Sequence, residues 1–191
     1  MTNLNAEFIG KVLHHYDEVA STNAIALNLL SKSKPNEGTV ISADFQTAGK
    51  GQVGTSWHGA HGQNVYLSVI LYPHFLTVNR QFLLSQAVAL GVRAAIADFA
   101  AETVKIKWPN DIYVKDRKMG GILIQNSLQG KKIQHSVVGI GLNINQTDFP
   151  AEIGAPISLQ QLLGKEVELG AIRVALFRAL EKTYLHLRLR Q

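Results

Sequence analysis

Residues 104–145 read VKIKWPNDIYVKDRKMGGILIQNSLQGKKIQHSVVGIGLNIN. The apolar runs VKIKW, IYVKD, GGILIQNSL and IQHSVVGIGLNIN follow one another across PND and QGKK, turn-forming stretches too short to hold a helix. Strands joined this way pair antiparallel, as a meander or as hairpins, which disfavours a pure Rossmann alternation of strand and helix.

Working outward, Lys11 to Val19 can form a first strand, and STNAIALNLL a helix capped by Ser21 or Thr22 and closed by Pro35 and Gly38. GTVISADF reads as a buried strand. NVYLSVILY carries almost no polar residue on either face and reads as a central strand. From Thr77 to about Ala101, Phe82, Leu83, Val88, Ala89, Val92 and Ile96 recur at helical spacing. After residue 145, SLQQLLG predicts a short helix, and Ala171 to Arg190 a last one with Ile172, Leu176, Leu180 and Leu187 on one side. The fold class is α+β: a mixed, largely antiparallel sheet flanked by helices.

A chain of 191 residues that is 46% hydrophobic supports one substantial core. Nineteen Lys+Arg against 14 Asp+Glu give +5, which suits anionic ligands such as nucleotides. The absence of cysteine excludes disulfides, thiolate zinc sites and a cysteine nucleophile. The opening residues lack a signal-peptide pattern and no apolar stretch reaches the length of a membrane span, so a cytoplasmic protein without a membrane partner is expected.

GKGQVGTSW, Gly49 to Trp57, contains a literal G-x-G-x-x-G that includes Gly51 and Gly54. A dinucleotide fingerprint needs a strand before the glycines and a helix directly after them, because the helix N-terminus holds the pyrophosphate. Here a polar loop and another strand follow, so that reading fails; kinase and Walker A signatures are missing too. Two readings stay open, an anion-binding nest carrying Lys50 or a plain long loop. KIKWPNDIYVKDRKMGG, around Lys105, Lys107, Lys115, Arg117 and Lys118, reads either as a charged hairpin or as cations leading to Gly120-Gly121, where backbone can approach a ligand closely. In VVGIGLNIN, Asn143 is a turn residue or a purine-edge reader. His58 and His61 form an H-x-x-H without further ligands, and no metal site is expected.

In order along the chain, STN (21–23), FQTAGKGQVGTSW (45–57), KWPNDIYVKDRKMGGIL (107–123) and GIGLNIN (139–145) resemble the biotin protein ligase family, whose catalytic domain is related to class II aminoacyl-tRNA synthetases. The resemblance implies a ligase that joins biotin and ATP into biotinyl-5′-AMP and then transfers biotin to a lysine of the biotin carboxyl carrier protein. It implies that Ser21, Thr22, Asn23 and Gln46 meet biotin's polar ends, with Gly121 among the biotin contacts. Gly49, Lys50, Gly51 and Gln52 would lie on the loop over the adenylate phosphate, with Lys50 acting on it, and Trp57 would cover the adenine. Lys118 would contact biotin's carboxylate and the α-phosphate, Asn110 and Asn143 the adenine or phosphates, and Asp111 the incoming amine. Mg²⁺ would accompany ATP with few protein ligands of its own.

Where many members have G-R-G-R, this chain has Lys50 and Gln52, so a neutral amide replaces one cation. One catalytic domain over 1–191 is expected, with neither the DNA-binding domain that repressor members carry in front nor the small β-barrel that many carry behind. A minimal ligase and a chain lacking its tail remain alternatives. Homodimerisation through a sheet edge is a further expectation. The rival readings are a lipoate or octanoate ligase or transferase on a related fold and, last, a non-catalytic nucleic-acid binder, for which the cations are too dispersed.

Overall fold

The computed structural model describes residues 6–52, 55–100, 103–151 and 154–190. Gly54 of the glycine loop and Ala101 at the expected helix end lie outside them. In chain order the elements are β1 (Leu13–Val19), α1 (Thr22–Lys32), β2 (Val40–Gln46), β3 (Val65–Leu71), a 3-10 turn (Val78–Arg80), α2 (Phe82–Ala97), β4 (Val104–Lys107), β5 (Asp111–Val114), β6 (Arg117–Gln129), β7 (Lys132–Leu142), α3 (Leu159–Leu163) and α4 (Leu169–Leu189). The strands form one seven-stranded sheet, ordered β1-β2-β3-β7-β6-β5-β4. β1 and β2, joined through α1, pair parallel, and every other neighbouring pair is antiparallel. This is the mixed, largely antiparallel α+β architecture expected from the sequence.

Register assigns the two faces of the sheet. Val69 pairs with Val138, and Val138 with Ile124; their side chains join Val88 and Val92 of α2 and Ile172, Leu176 and Leu180 of α4 in the main core. On the opposite face, Ile41, Ile70 and Val137 pack against Ala26 of α1. β3 is buried along its whole length because both of its faces are covered. α1 is only 11 residues long, so the rest of that face, beyond its N-terminus, is left for a site.

One packing expectation is corrected. The helix of the first half begins at Phe82 after the 3-10 turn, and Phe82 is 42% exposed, its ring 6.3 Å from that of Trp108. Leu84 takes the core position, since Leu84, Val88, Val92 and Ile96 at four-residue spacing define the buried stripe and Phe82 falls outside its arc.

Candidate active site

The open half of that second face is a cavity of about 490 Å³, well inside the range of roughly 300–1,000 Å³ usual for small-molecule sites. The N-terminus of α1, the loop after β2, and the β5, β6 and β7 strands surround it. Every residue to which the family resemblance assigns a role lines this cavity except Gly49, which faces the hollow behind the loop. Gly49 instead shapes the loop: its carbonyl accepts from Trp57 N–H, and a Cβ there would stand 2.7 Å from the Trp57 carbonyl oxygen.

At one end, Ser21, Thr22 and Asn23 are buried at the start of α1. Ser21 is the N-cap residue, yet its side chain makes no capping bond, which leaves the hydroxyl to the cavity. Thr22 N–H donates to Gln46 Oε1 at 2.8 Å. A backbone N–H can only donate, so this contact fixes Gln46 with its Nε2 as the available donor. Asn23 Nδ2 donates to Gln125 Oε1 at 2.8 Å and, more weakly, towards the Leu123 carbonyl at 3.4 Å. A backbone carbonyl can only accept, so Asn23 Oδ1 is the atom left on the other side, where Ser68 Oγ donates to it at 2.6 Å. Asn23 lies directly over Gly139, where a Cβ would be 2.4 Å from Oδ1.

At the other end, Lys118 Nζ is 2.8 Å from Asp111 Oδ1, with side chains 38% and 21% exposed. Their meeting depends on a register shift. Asp111 pairs with Gly121 and Ile112 with Gly120, but Tyr113 pairs with Lys118, so β6 carries an extra residue at Met119. Alternation alone would send Lys118 to the face of Gly120 and Ile112. The bulge returns it to the face of Asp111, Tyr113 and Gly121. Two other cations of the hairpin are engaged outside the cavity: Lys105 pairs with Asp116 at 3.2 Å and Lys107 lies 5.0 Å over the Tyr113 ring. Within one hairpin, then, Lys105 is paired at the surface while Lys118 faces the cavity.

Between the two ends the floor is the in-register pair Gly121 and Gly141. Trp57 lies on it, its Cε2 2.8 Å from where a Gly141 Cβ would stand and its Cζ3 3.2 Å from that of Gly121. Lys118 Nζ is 5.8 Å from the indole. The indole Nε1 is buried without a hydrogen bond of good geometry, although it is near enough to Tyr66 to lower that phenol against the larger upward push of burial. In the loop, Gly51 N–H donates to Thr55 O, Thr55 N–H to Gln52 O and Trp57 N–H to Gly49 O. These donors are consumed within the loop, so cationic charge over the cavity comes from the side chains of Lys50 and Lys118. Asn110 Nδ2 is tied to the Ile122 carbonyl at 2.9 Å, which leaves its Oδ1 to the cavity. Asn143 is buried at the end of β7, its backbone bonded to Met119 and Leu159.

Asp111 is the sole carboxylate among the described lining residues, and no described group of three or more His, Asp or Glu side chains could hold a metal. A divalent cation does not fit a protein-built site here, and one that entered with a nucleotide would be held by the phosphates and water. His61 pairs with Asp17 of β1 instead of with His58. Ser68 and Gln125 were missed in the sequence because neither belongs to a glycine-rich or charged motif. The available signal was a lone serine in the otherwise apolar centre of VYLSVIL, where a buried hydroxyl needs a partner.

A family model described as "Biotin/lipoate A/B protein ligase family" matches residues 16–143. The bifunctional ligase/repressor BirA of Bacillus subtilis is 33% identical over 184 residues, covering 95% of this chain and 56% of that protein. The chain thus spans little more than half the length of this relative. The biotin protein ligase of Aquifex aeolicus, solved in complex with biotin and ATP, superimposes with a TM-score of 0.77 at 28% identity, over 92% of this chain and 71% of the other. The Leishmania major biotin protein ligase, solved with biotinyl-5-AMP, shares the fold with a TM-score of 0.78 at 22% identity, over 92% of this chain and 76% of the other. With its motifs gathered around one cavity and two thirds of its length matched by the family model, this chain belongs to the biotin/lipoate A/B protein ligase family.

Proposed function

We propose that the chain is a biotin–[biotin carboxyl carrier protein] ligase. The observation that carries this reading within the family is the hydrogen-bond polarity of the buried end of the cavity. Gln46 Nε2 and the Ser21 hydroxyl are available as donors, and Asn23 Oδ1 and Thr22 Oγ1 keep lone pairs as acceptors. A cyclic urea, one C=O between two N–H groups, complements that array. A dithiolane or an alkyl chain would leave Gln46 Nε2 and the Ser21 hydroxyl without a ligand partner and the remaining lone pairs of Asn23 and Thr22 unused, and a site built for hydrogen bonds rejects ligands that lack them by factors of up to roughly 10⁴–10⁵. The Aquifex relative solved with biotin and ATP supports the same assignment.

In the first half-reaction a biotin carboxylate oxygen attacks the α-phosphorus of MgATP, the P–O bond to the β-phosphate breaks, and pyrophosphate leaves. Lys118 and Lys50 counter the charge on the phosphate oxygens, and Trp57, lying over the glycine floor, keeps water from the mixed anhydride. An anionic oxygen beside Lys118 competes with Asp111 for the ammonium. Asp111, released from that pair, is then the group that accepts a proton as the carrier lysine's nitrogen attacks the acyl carbon and AMP leaves. Asn110, Asn143 and Trp57 are assigned to the adenosine part. A cytoplasmic location and self-association through an exposed edge strand, β1 or β4, belong to the same proposal; a monomeric mass at every concentration would remove the latter.

The test is biotin-dependent exchange of labelled pyrophosphate into ATP, with lipoate and octanoate as parallel acids and no carrier protein. Exchange with biotin alone is expected. Exchange with lipoate or octanoate in preference to biotin would refute the assignment.

A further inference from the structure

We propose that Ser68, which does not line the cavity, is the positioning residue that sets its acid specificity. The inference rests on the biotin reading and adds to it the source of the polarity. Ser68 is fully buried in the centre of β3, beneath the start of α1, and its register partner is Gly139. Its Oγ lies 2.6 Å from Asn23 Oδ1 and 2.8 Å from Thr22 Oγ1. A hydroxyl has one proton, and Asn23 Oδ1 can only accept. The Ser68 proton therefore goes to Asn23, and Thr22 must donate its own proton to Ser68. The alternative acceptor for the Thr22 hydroxyl, Gln46 Oε1, is farther away at 3.2 Å than Ser68 Oγ at 2.8 Å.

The consequence is a chain of bonds with one direction, Thr22 to Ser68 to Asn23, whose Asn23 end is held by the Leu123 carbonyl, which can only accept, while the Thr22 N–H separately orients the Gln46 amide beside it. Its effect is to present oxygen lone pairs of Thr22 and Asn23 to the ligand while Gln46 presents N–H. Without the Ser68 hydroxyl, Thr22 can turn its proton elsewhere and the Asn23 amide loses the bond that opposes its tie to Gln125. The array then no longer matches a urea. Gly139 makes this possible, because any side chain there would occupy the place of the Asn23 amide.

Ser68→Ala is compared with the wild type by pyrophosphate exchange, with biotin and with desthiobiotin, which keeps the urea and lacks the thioether ring. The expected result is a KM about tenfold higher for both acids, the loss of one buried hydrogen bond, with the KM for ATP and the kcat at saturating acid within twofold. Because Ser68 acts through Asn23, the same substitution in an Asn23→Ala background should raise the biotin KM by less than threefold. A merely structural serine would raise both substrates' KM together, or multiply the loss equally in both backgrounds, and either result overturns the assignment. So does an unchanged biotin KM in Ser68→Ala when the wild type is active. A wild type that exchanges with no urea-bearing acid instead overturns the biotin reading, and this assignment with it.

Discussion

Gly139→Ala tests the geometry of the buried end with a single methyl group. The new Cβ would stand 2.4 Å from Asn23 Oδ1, 3.0 Å from its Cγ and 3.1 Å from its Nδ2, where ordinary contact begins at 3.4 Å. The amide must retreat by about 1 Å, and it is not a free side-chain end: Ser68 holds it at 2.6 Å and Gln125 at 2.8 Å. A shift of that size takes at least one of these bonds beyond about 3.5 Å, where it ceases to count. Losing a buried bond and turning the acceptor away from the ligand costs about 1–3 kcal/mol, which is roughly a 5- to 150-fold rise in the biotin KM. The KM for ATP should hold, since Asn23 is remote in sequence and contact from the Lys118–Asp111 end. Pyrophosphate exchange at varied biotin and fixed ATP measures the first quantity, and thermal unfolding reports any loss of fold. A biotin KM within twofold of wild type in a folded variant would refute the claim that Asn23's position governs recognition.

Lys118→Ala should lower biotin-dependent exchange by about 10²–10³-fold, as expected when one preorganised charge is removed from a transition state. Its partly exposed pair with Asp111 should cost no more than about 1 kcal/mol of stability; normal exchange in the variant would remove the assigned role. Lys115 and Asp116, at φ of 50° and 61°, form the two-residue turn between β5 and β6. Asp116→Ala should therefore destabilise the fold by about 1 kcal/mol, because alanine lacks the short polar side chain that lets Asp tolerate this conformation, with the exposed Lys105 pair contributing little, so that an unchanged or higher melting temperature would contradict the turn argument. Tyr184 donates to Glu37 at 2.7 Å, and burial, then the Glu37 bond and charge, raise its phenol well above the usual range. Below pH 10 both folded and unfolded chains keep the proton; above it only the unfolded chain releases it, so stability falls as pH rises. Urea midpoints from pH 9 to 11.5 should decline more steeply for wild type than for Tyr184→Phe, and parallel curves would count against the assignment.

Local pattern was enough for most of the fold. The short connections in residues 104–145 forced antiparallel pairing, and β4 to β7 form that meander. The unbroken apolar run of β3 required cover on both faces, which it has. The motifs also named nearly all of the cavity lining, because glycines that admit close approach and polar residues beside apolar strands are visible one residue at a time. Helix phase was less legible: Phe82 lies outside the buried stripe because where α2 begins depends on the turn before it. Two features were decided only in three dimensions. Strand alternation would send Lys118 away from Asp111, and the extra residue at Met119 brings them together, because one unpaired residue inverts every side chain beyond it. The direction of the hydrogen bonds from Thr22 through Ser68 to Asn23 joins β3 to α1 across 46 and 45 residues of sequence. A residue's type states how many protons it can give and accept, but its partners determine which of them face the ligand, and those partners are set by packing.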